Sequence, residues 1–294
     1  MKIPPGSKIG IVSPSKPVSE EAVTRGLEYL KGLGYIPVLG RHVFDAYRYM
    51  AGTPQDRAED LMSFYRDPEI KAVFSTAGGD GSQMIAPFLD YDTIAQNPKP
   101  LIGFSDTTAI QNAIIARTGT PQLTGFLLSY DFLDGPLPDA KINASLTTLL
   151  NGDKLKVSGG QTVIGGQAEG ILVGGCLSLF KSLCGTPYFP SLKNTILLIE
   201  DVEEKTYKLD LMLEQLRQCP DFSKVSGIIF GDFYNCEIRQ PQDGSTDEMI
   251  NCFTQEMNIP VIRHFPYGHK KSRYVLPLGS PIRLNADNCT LEQL

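Results

Sequence analysis

Two rhythms of apolar and polar positions run along this chain. Short continuous apolar runs over 8–12, 36–39, 71–75, 101–103 and 122–124 read as strands, the first of them buried. Between them apolar residues recur at helical spacing. Ser19 caps a helix that reaches about Leu33 and closes on Gly34. Thr53 and Pro54 supply an N-cap and a first-turn proline, and Ala58, Leu61, Met62 and Tyr65 carry that helix to Arg66. A further helix is expected near 83–89. Behind the run at 101–103, Ile110, Ala113, Ile114 and Arg117 stand at i, i+3, i+4 and i+7. Strands and helices alternating through short connections predict an α/β fold with a parallel sheet, whose ligands sit at the carboxyl ends of the strands.

The chain changes character at 130–138, where Asp-Phe-Leu-Asp-Gly-Pro-Leu-Pro is loop chemistry. A helix over 140–150 and a glycine-rich stretch at 158–166 follow. The expected division is therefore a first domain over 1–135, a linker region over 136–165 and a second domain over 166–294. In the second half, strands are expected over 169–172, 195–199, 227–230 and 260–263, and helices over 176–183 and 247–256. Leu209, Met212, Leu213 and Leu216 form another helical stripe, and the segments 275–278 and 281–285 look like a closing pair.

Composition narrows the function. The 294 residues are 41% hydrophobic and 20% charged, ordinary for a soluble globular protein. A net charge of −6 argues against nucleic-acid or anionic-membrane partners, which need clustered positive charge. No run is long enough to cross a bilayer, and the first residues lack the apolar segment of a secretory signal, so a cytoplasmic location is expected. All six cysteines fall in the second half. None forms a C-x-x-C pair or has a histidine at metal-ligand spacing, so reduced thiols are expected, most of them buried, with no metal and no cofactor.

Ser105 lies on a tight turn between the strand ending at Gly103 and the following helix. That is the geometry of a nucleophile elbow, in which the residue after the serine offers its backbone N–H to a developing oxyanion. The same residue type is also a good helix cap. A serine nucleophile needs a base and an orienting acid. His42 and His264 have simple surface or structural roles available. His269 follows Gly268 in a loop between strands, where catalytic groups tend to sit. Glu200 ends the apolar run Ile196-Leu197-Leu198-Ile199, and a carboxylate abutting a buried strand needs a partner. Asp201, Glu203 and Glu204 instead suit the positive end of the next helix. Lys270, Lys271 and Arg273 follow the candidate base, either as anchors for a substrate carboxylate or as solvated charges. The order Ser105, Glu200, His269 is that of α/β-hydrolases, but Thr107 stands where that fold demands glycine.

Three stretches carry a family resemblance. Gly103-Phe104-Ser105-Asp106-Thr107-Thr108, Leu198-Ile199-Glu200-Asp201-Val202 and Gly268-His269 with Leu276-Pro277-Leu278-Gly279 resemble the signature regions of the LD-carboxypeptidase family of serine peptidases. That family also includes the microcin C immunity peptidases. The resemblance implies an N-terminal parallel-sheet α/β domain carrying the nucleophile and a smaller β-rich α/β domain carrying the acid and base. It implies a cytoplasmic homodimer acting on a small peptide, either a murein peptide or a peptidyl-nucleotide. Carried over by motif, Ser105 is the nucleophile, Glu200 the acid and His269 the base. The backbone N–H groups of Asp106 and Gly79 form the oxyanion hole, and Gly78 and Asp80 of the same loop contact substrate. The loop departs from the Arg-Gly-Gly-Tyr-Gly of murein-recycling members: here it is Ala77-Gly78-Gly79-Asp80-Gly81, closer to the immunity type. The compact second half and the Gly174-Gly175 pair lie closer to the murein type. The glycine loop also resembles the Gly-Gly-Asp-Gly phosphate cradle of certain kinases, and a two-domain binding protein without catalysis is a further alternative.

Overall fold

The computed structural model describes residues 2–236, 238 and 240–294. The first sheet contains β1 (Lys8–Val12), β2 (Ile36–Leu39), β3 (Ile70–Ser75), β4 (Leu101–Gly103) and β5 (Gln122–Thr124), which run parallel to one another. Helices α1 (Glu20–Gly32), α2 (Pro54–Arg66), α3 (Tyr91–Gln96) and α4 (Thr108–Thr118) connect and cover them. The caps lie where local chemistry put them. Ser19 accepts from the Ala22 N–H, and Thr53 and Asp56 form a reciprocal capping box that spans Pro54. Because the strands are parallel, the loops after β1, β3, β4 and β5 open at one edge of the sheet.

α5 (Ala140–Leu150) leads to the second sheet. There β8 (Gln167–Cys176), β9 (Thr195–Val202), β10 (Gly227–Tyr234) and β11 (Val261–Arg263) run parallel at the centre. The short strands β6 (Lys156–Ser158) and β7 (Gln161–Ile164) occupy opposite ends of this sheet, so the glycine-rich stretch is built into it rather than bridging bare between halves. α6 (Leu177–Ser182), α7 (Thr206–Arg217) and α8 (Thr246–Thr254) accompany the strands.

Three local expectations change. The segment near 83–89 is a 3₁₀ helix, Ser82–Phe88, with Pro87 inside it; a proline cannot donate the backbone bond an α-helix needs there. α3 was not anticipated. The closing pair does not form. β12 (Leu276–Leu278) pairs antiparallel with β5 in the first sheet, whereas β13 (Pro281–Asn285) lies between β8 and β14 (Thr290–Gln293) in the second. β5 would otherwise present an open edge, and β12 covers it. The two sheets share one continuous hydrophobic core, in which Ile102 and Phe104 of the first half belong with Leu172, Val173 and Leu276.

Candidate active site

Residues after β4 turn sharply. Phe104 is extended, Ser105 adopts φ +61° and the chain then winds through a 3₁₀ turn, Ser105–Thr107, into α4. A left-handed serine costs on the order of 1–3 kcal/mol and persists only where its surroundings over-determine it. Ser105 does not cap the helix, since neither that turn nor α4 has a side-chain cap bond. Its Oγ lies instead 3.0 Å from His269 Nε2.

His269 sits on the loop between β11 and β12, at the end of the Tyr267-Gly268 segment that the Asp232 N–H grips through Tyr267 O at 2.8 Å. Gly268 has φ +132°, and a Cβ there would lie 2.9 Å from Asp232 O and 3.2 Å from Glu200 Oε2. Only glycine brings the imidazole this close to the carboxylate. Glu200, in β9 opposite Cys176 of β8, is fully buried, and its Oε2 is 2.8 Å from His269 Nδ1. Among the described residues Glu200 Oε1 has no partner, so the carboxylate's polar commitment is to the histidine.

Ser105 and His269 open onto a cleft of about 1030 Å³ at the carboxyl edge of the first sheet. Gly78, Gly79 and Asp80 line it, so the glycine loop, the serine and the histidine meet at one place. Gly78 packs on the serine: a Cβ at that position would stand 3.0 Å from Ser105 Cβ and 3.1 Å from its Oγ.

Family models for the LD-carboxypeptidase N-terminal and C-terminal domains match residues 9–125 and 169–284 respectively. The chain belongs to the LD-carboxypeptidase family. The murein tetrapeptide carboxypeptidase of Pseudomonas aeruginosa is 31% identical, over 94% of this chain and 92% of its own length. The microcin C7 self-immunity protein MccF of Escherichia coli is 30% identical, over 96% of this chain and 92% of its own. The crystal structure of an MccF-like protein from Bacillus anthracis superposes with a TM-score of 0.88 at 26% identity, covering 100% of this chain and 98% of that one. Membership of a serine-peptidase family removes the ground for reading the glycine loop as a kinase phosphate cradle.

The loop that carries His269 is pinned from beneath. Arg273 is completely buried. Its Nη2 is 2.6 Å from Asp131 Oδ1, its Nε donates to Gly125 O and its Nη1 to Lys270 O. The guanidinium also lies over the Phe104 ring, 4.5 Å from its centroid, and that ring is 4.6 Å from the His269 ring. Arg273 is therefore neither a substrate anchor nor a solvated charge. Lys270 and Lys271 are paired too, with Asp232 at 2.6 Å and Asp134 at 2.8 Å.

The Asp106 side chain ties the elbow to its neighbours. Its buried Oδ2 accepts from Ser15 Oγ at 2.5 Å and from the Ser82 N–H at 2.8 Å, and burial pushes its carboxyl up to about 6. Asp201 departs from expectation. It serves α6 rather than the helix that follows it, accepting the Ser178 N–H at 2.8 Å, and burial together with the Glu200 charge raises its carboxyl to about 6. The cysteines depart as well. Only Cys176 is buried and Cys252 is exposed, because the buried stripe of α8 is Met249, Ile250 and Phe253. His42 and His264 keep structural roles, beside Asp45 at 2.7 Å and Asp247 at 2.9 Å. Among the described residues no helix is long and apolar enough to cross a membrane, and no group of three or more His, Cys, Asp or Glu side chains is placed to hold a metal.

The roles of Arg273, Asp131 and the Asp106 side chain escaped sequence reasoning. The signal for Arg273 was weak: a cation four residues beyond His269, with no periodicity to say that it faces inward.

Proposed function

We propose that this chain hydrolyses an amide bond through an acyl-enzyme, using Ser105, His269 and Glu200. The observation that carries the reading is the unbroken polar line from Ser105 Oγ to His269 (3.0 Å) and from His269 to Glu200 (2.8 Å), ending in a cleft. His269 Nε2 takes the hydroxyl proton as Oγ attacks the substrate carbonyl. Glu200 holds the Nδ1–H tautomer and stabilises the imidazolium. The backbone N–H groups of Asp106 and Gly79 receive the oxyanion. The C–N bond then breaks, and the imidazolium proton passes to the leaving amine. Water repeats the attack on the ester, releasing the acid and restoring Ser105.

The substrate reading is removal of the terminal D-alanine from murein tetrapeptide during cell-wall recycling, across a bond joining an L-centre to a D-residue. The relative from Pseudomonas aeruginosa supports it by name, and the cleft is of the size that holds such peptides. A second reading is cleavage of a peptidyl-nucleotide or related amide, favoured by the Ala77-Gly78-Gly79-Asp80-Gly81 loop and by the resemblance to MccF. In this proposal the nucleophile belongs to a domain over 1–135, the acid and base belong to one over 166–294, and the enzyme works in the cytoplasm as a homodimer. Six free thiols suit that reducing compartment.

The test is incubation of the purified protein with murein tetrapeptide and, separately, with a peptidyl-nucleotide, following both by mass spectrometry. Release of D-alanine by the parent, lost by about 10⁴-fold in Ser105→Ala, is the expected result. Undiminished turnover in Ser105→Ala would overturn the mechanism, and cleavage of the nucleotide alone would replace the substrate.

A further inference from the structure

A peptidase that removes a single terminal residue has to recognise a free carboxylate next to the bond it cuts, and an ammonium or guanidinium is the natural partner. The cations closest in sequence to the base are spent on carboxylates of the protein: Lys270 on Asp232, Lys271 on Asp134 and Arg273 on Asp131. Another cation remains in the cleft. We infer that Lys16 binds the α-carboxylate of the leaving residue, an inference that rests on the carboxypeptidase reading above.

Lys16 lies in the loop after β1 and lines the same cleft as Gly79, Ser105 and His269. Its backbone N–H donates to Gly78 O at 3.4 Å. Its stem is laid along the glycine loop, since a Cβ at Gly79 would stand 2.7, 3.0 and 3.2 Å from Lys16 Cβ, Cγ and Cδ. The preceding residue, Gly78, is the one packed against Ser105. The ammonium is thus carried on methylenes that cross the loop beside the nucleophile, and among the described residues no carboxylate pairs with it. Arg25, on the same wall, has its guanidinium held by Phe132 O at 3.0 Å. A flexible four-carbon stem with three donors suits a carboxylate that arrives and departs in each cycle.

The geometry also accounts for a small residue at 79. Any larger side chain would displace the lysine stem from the loop.

The test compares a tetrapeptide ending in D-alanine with the same peptide ending in D-alanine carboxamide. The proteins are the parent, Lys16→Met, Lys16→Arg and, as a control for general surface charge, Lys271→Met. The parent should prefer the free acid. Lys16→Met should raise KM for the acid about tenfold with kcat little changed, leave the carboxamide unaffected and so erase the preference. Lys16→Arg should restore most of it, and Lys271→Met should behave as the parent. A parent that prefers the acid and a Lys16→Met variant that keeps the preference overturn the assignment to Lys16. Equal use of acid and carboxamide by the parent also overturns it, and leaves the hydrolytic mechanism standing. Hydrolysis of neither peptide strikes the carboxypeptidase reading itself, and this inference with it.

Discussion

Asn112 of α4 and Gly174 of β8 exchange two hydrogen bonds, Nδ2 donating to Gly174 O at 2.8 Å and the Gly174 N–H donating to Oδ1 at 3.1 Å. α4 is the helix behind Ser105, and β8 is the strand beside Glu200, with Cys176 directly opposite it in register. Thr108 adds a third link by accepting the Cys176 N–H at 3.2 Å. The element that aims the serine and the strand next to the acid are therefore bolted together through buried polar groups. Replacing Asn112 with leucine strands the Gly174 N–H in the core, at a cost of about 1–3 kcal/mol. The expected result is a lower urea midpoint together with a lower kcat. A variant with both values unchanged would show that the two halves are aligned by other contacts.

Glu200→Gln keeps the shape and removes the charge. The introduced amide can donate to His269 Nδ1, which leaves the ring proton on Nε2. That nitrogen then has no lone pair with which to take the Ser105 proton. A loss in kcat of about 10⁴-fold, with KM and thermal midpoint close to the parent, is expected by analogy with other triads. A loss of less than about tenfold would remove Glu200 from the mechanism.

Gly78→Ala inserts a methyl 3.0 Å from Ser105 Cβ and 3.1 Å from Oγ, inside ordinary contact distance. The backbone at Gly78 lies outside the left-handed region, so alanine adds no conformational strain of its own. Displacing the hydroxyl by a fraction of an ångström should lower kcat by about 10²-fold while the thermal midpoint hardly moves. Steady-state kinetics alongside thermal denaturation separates this outcome from general unfolding.

Asp106 makes stability depend on pH. Burial raises its carboxyl from 3.8 to about 6, so between those values the folded protein binds more protons than the unfolded chain. Stability from this group is therefore greatest at low pH, falls as pH rises through that window and is flat above it, with a total cost of up to about 3 kcal/mol. Asp106→Asn removes the titration. The thermal midpoint of the variant should gain on the parent between about pH 4 and pH 6 and hold level beyond. A gap that does not vary with pH would show that the carboxyl ionises as it would in water.

Much of the site could be read from local chemistry. Ser105 announces itself by the strand before it and the helical spacing after it. Glu200 stands out because four apolar residues lead into a charge, and Gly268-His269 because glycine precedes a lone imidazole in a loop. The first five strands and the α1 and α2 caps were legible because a short apolar run and a capping bond each leave a signature within a few residues, although β2, at the sheet edge, leaves Ile36 and Leu39 exposed. Asp201 marks the limit. An acid before a helix looked like that helix's own counter-charge, and it turned out to hold the start of α6 across a strand.

The chain order of its residues was enough to specify an α/β protein with a serine, a carboxylate and an imidazole suited to proton transfer, because strand runs, caps and turns are short-range. Folding in three dimensions was needed to send β12 to the first sheet and β13 to the second, to bury Arg273 against Asp131 and to lay the Lys16 stem along Gly79. Those outcomes depend on which distant segments meet. An ion pair between residues 131 and 273, or an edge covered from about 150 residues away, has an energy set by separation in space, and no local pattern encodes that distance.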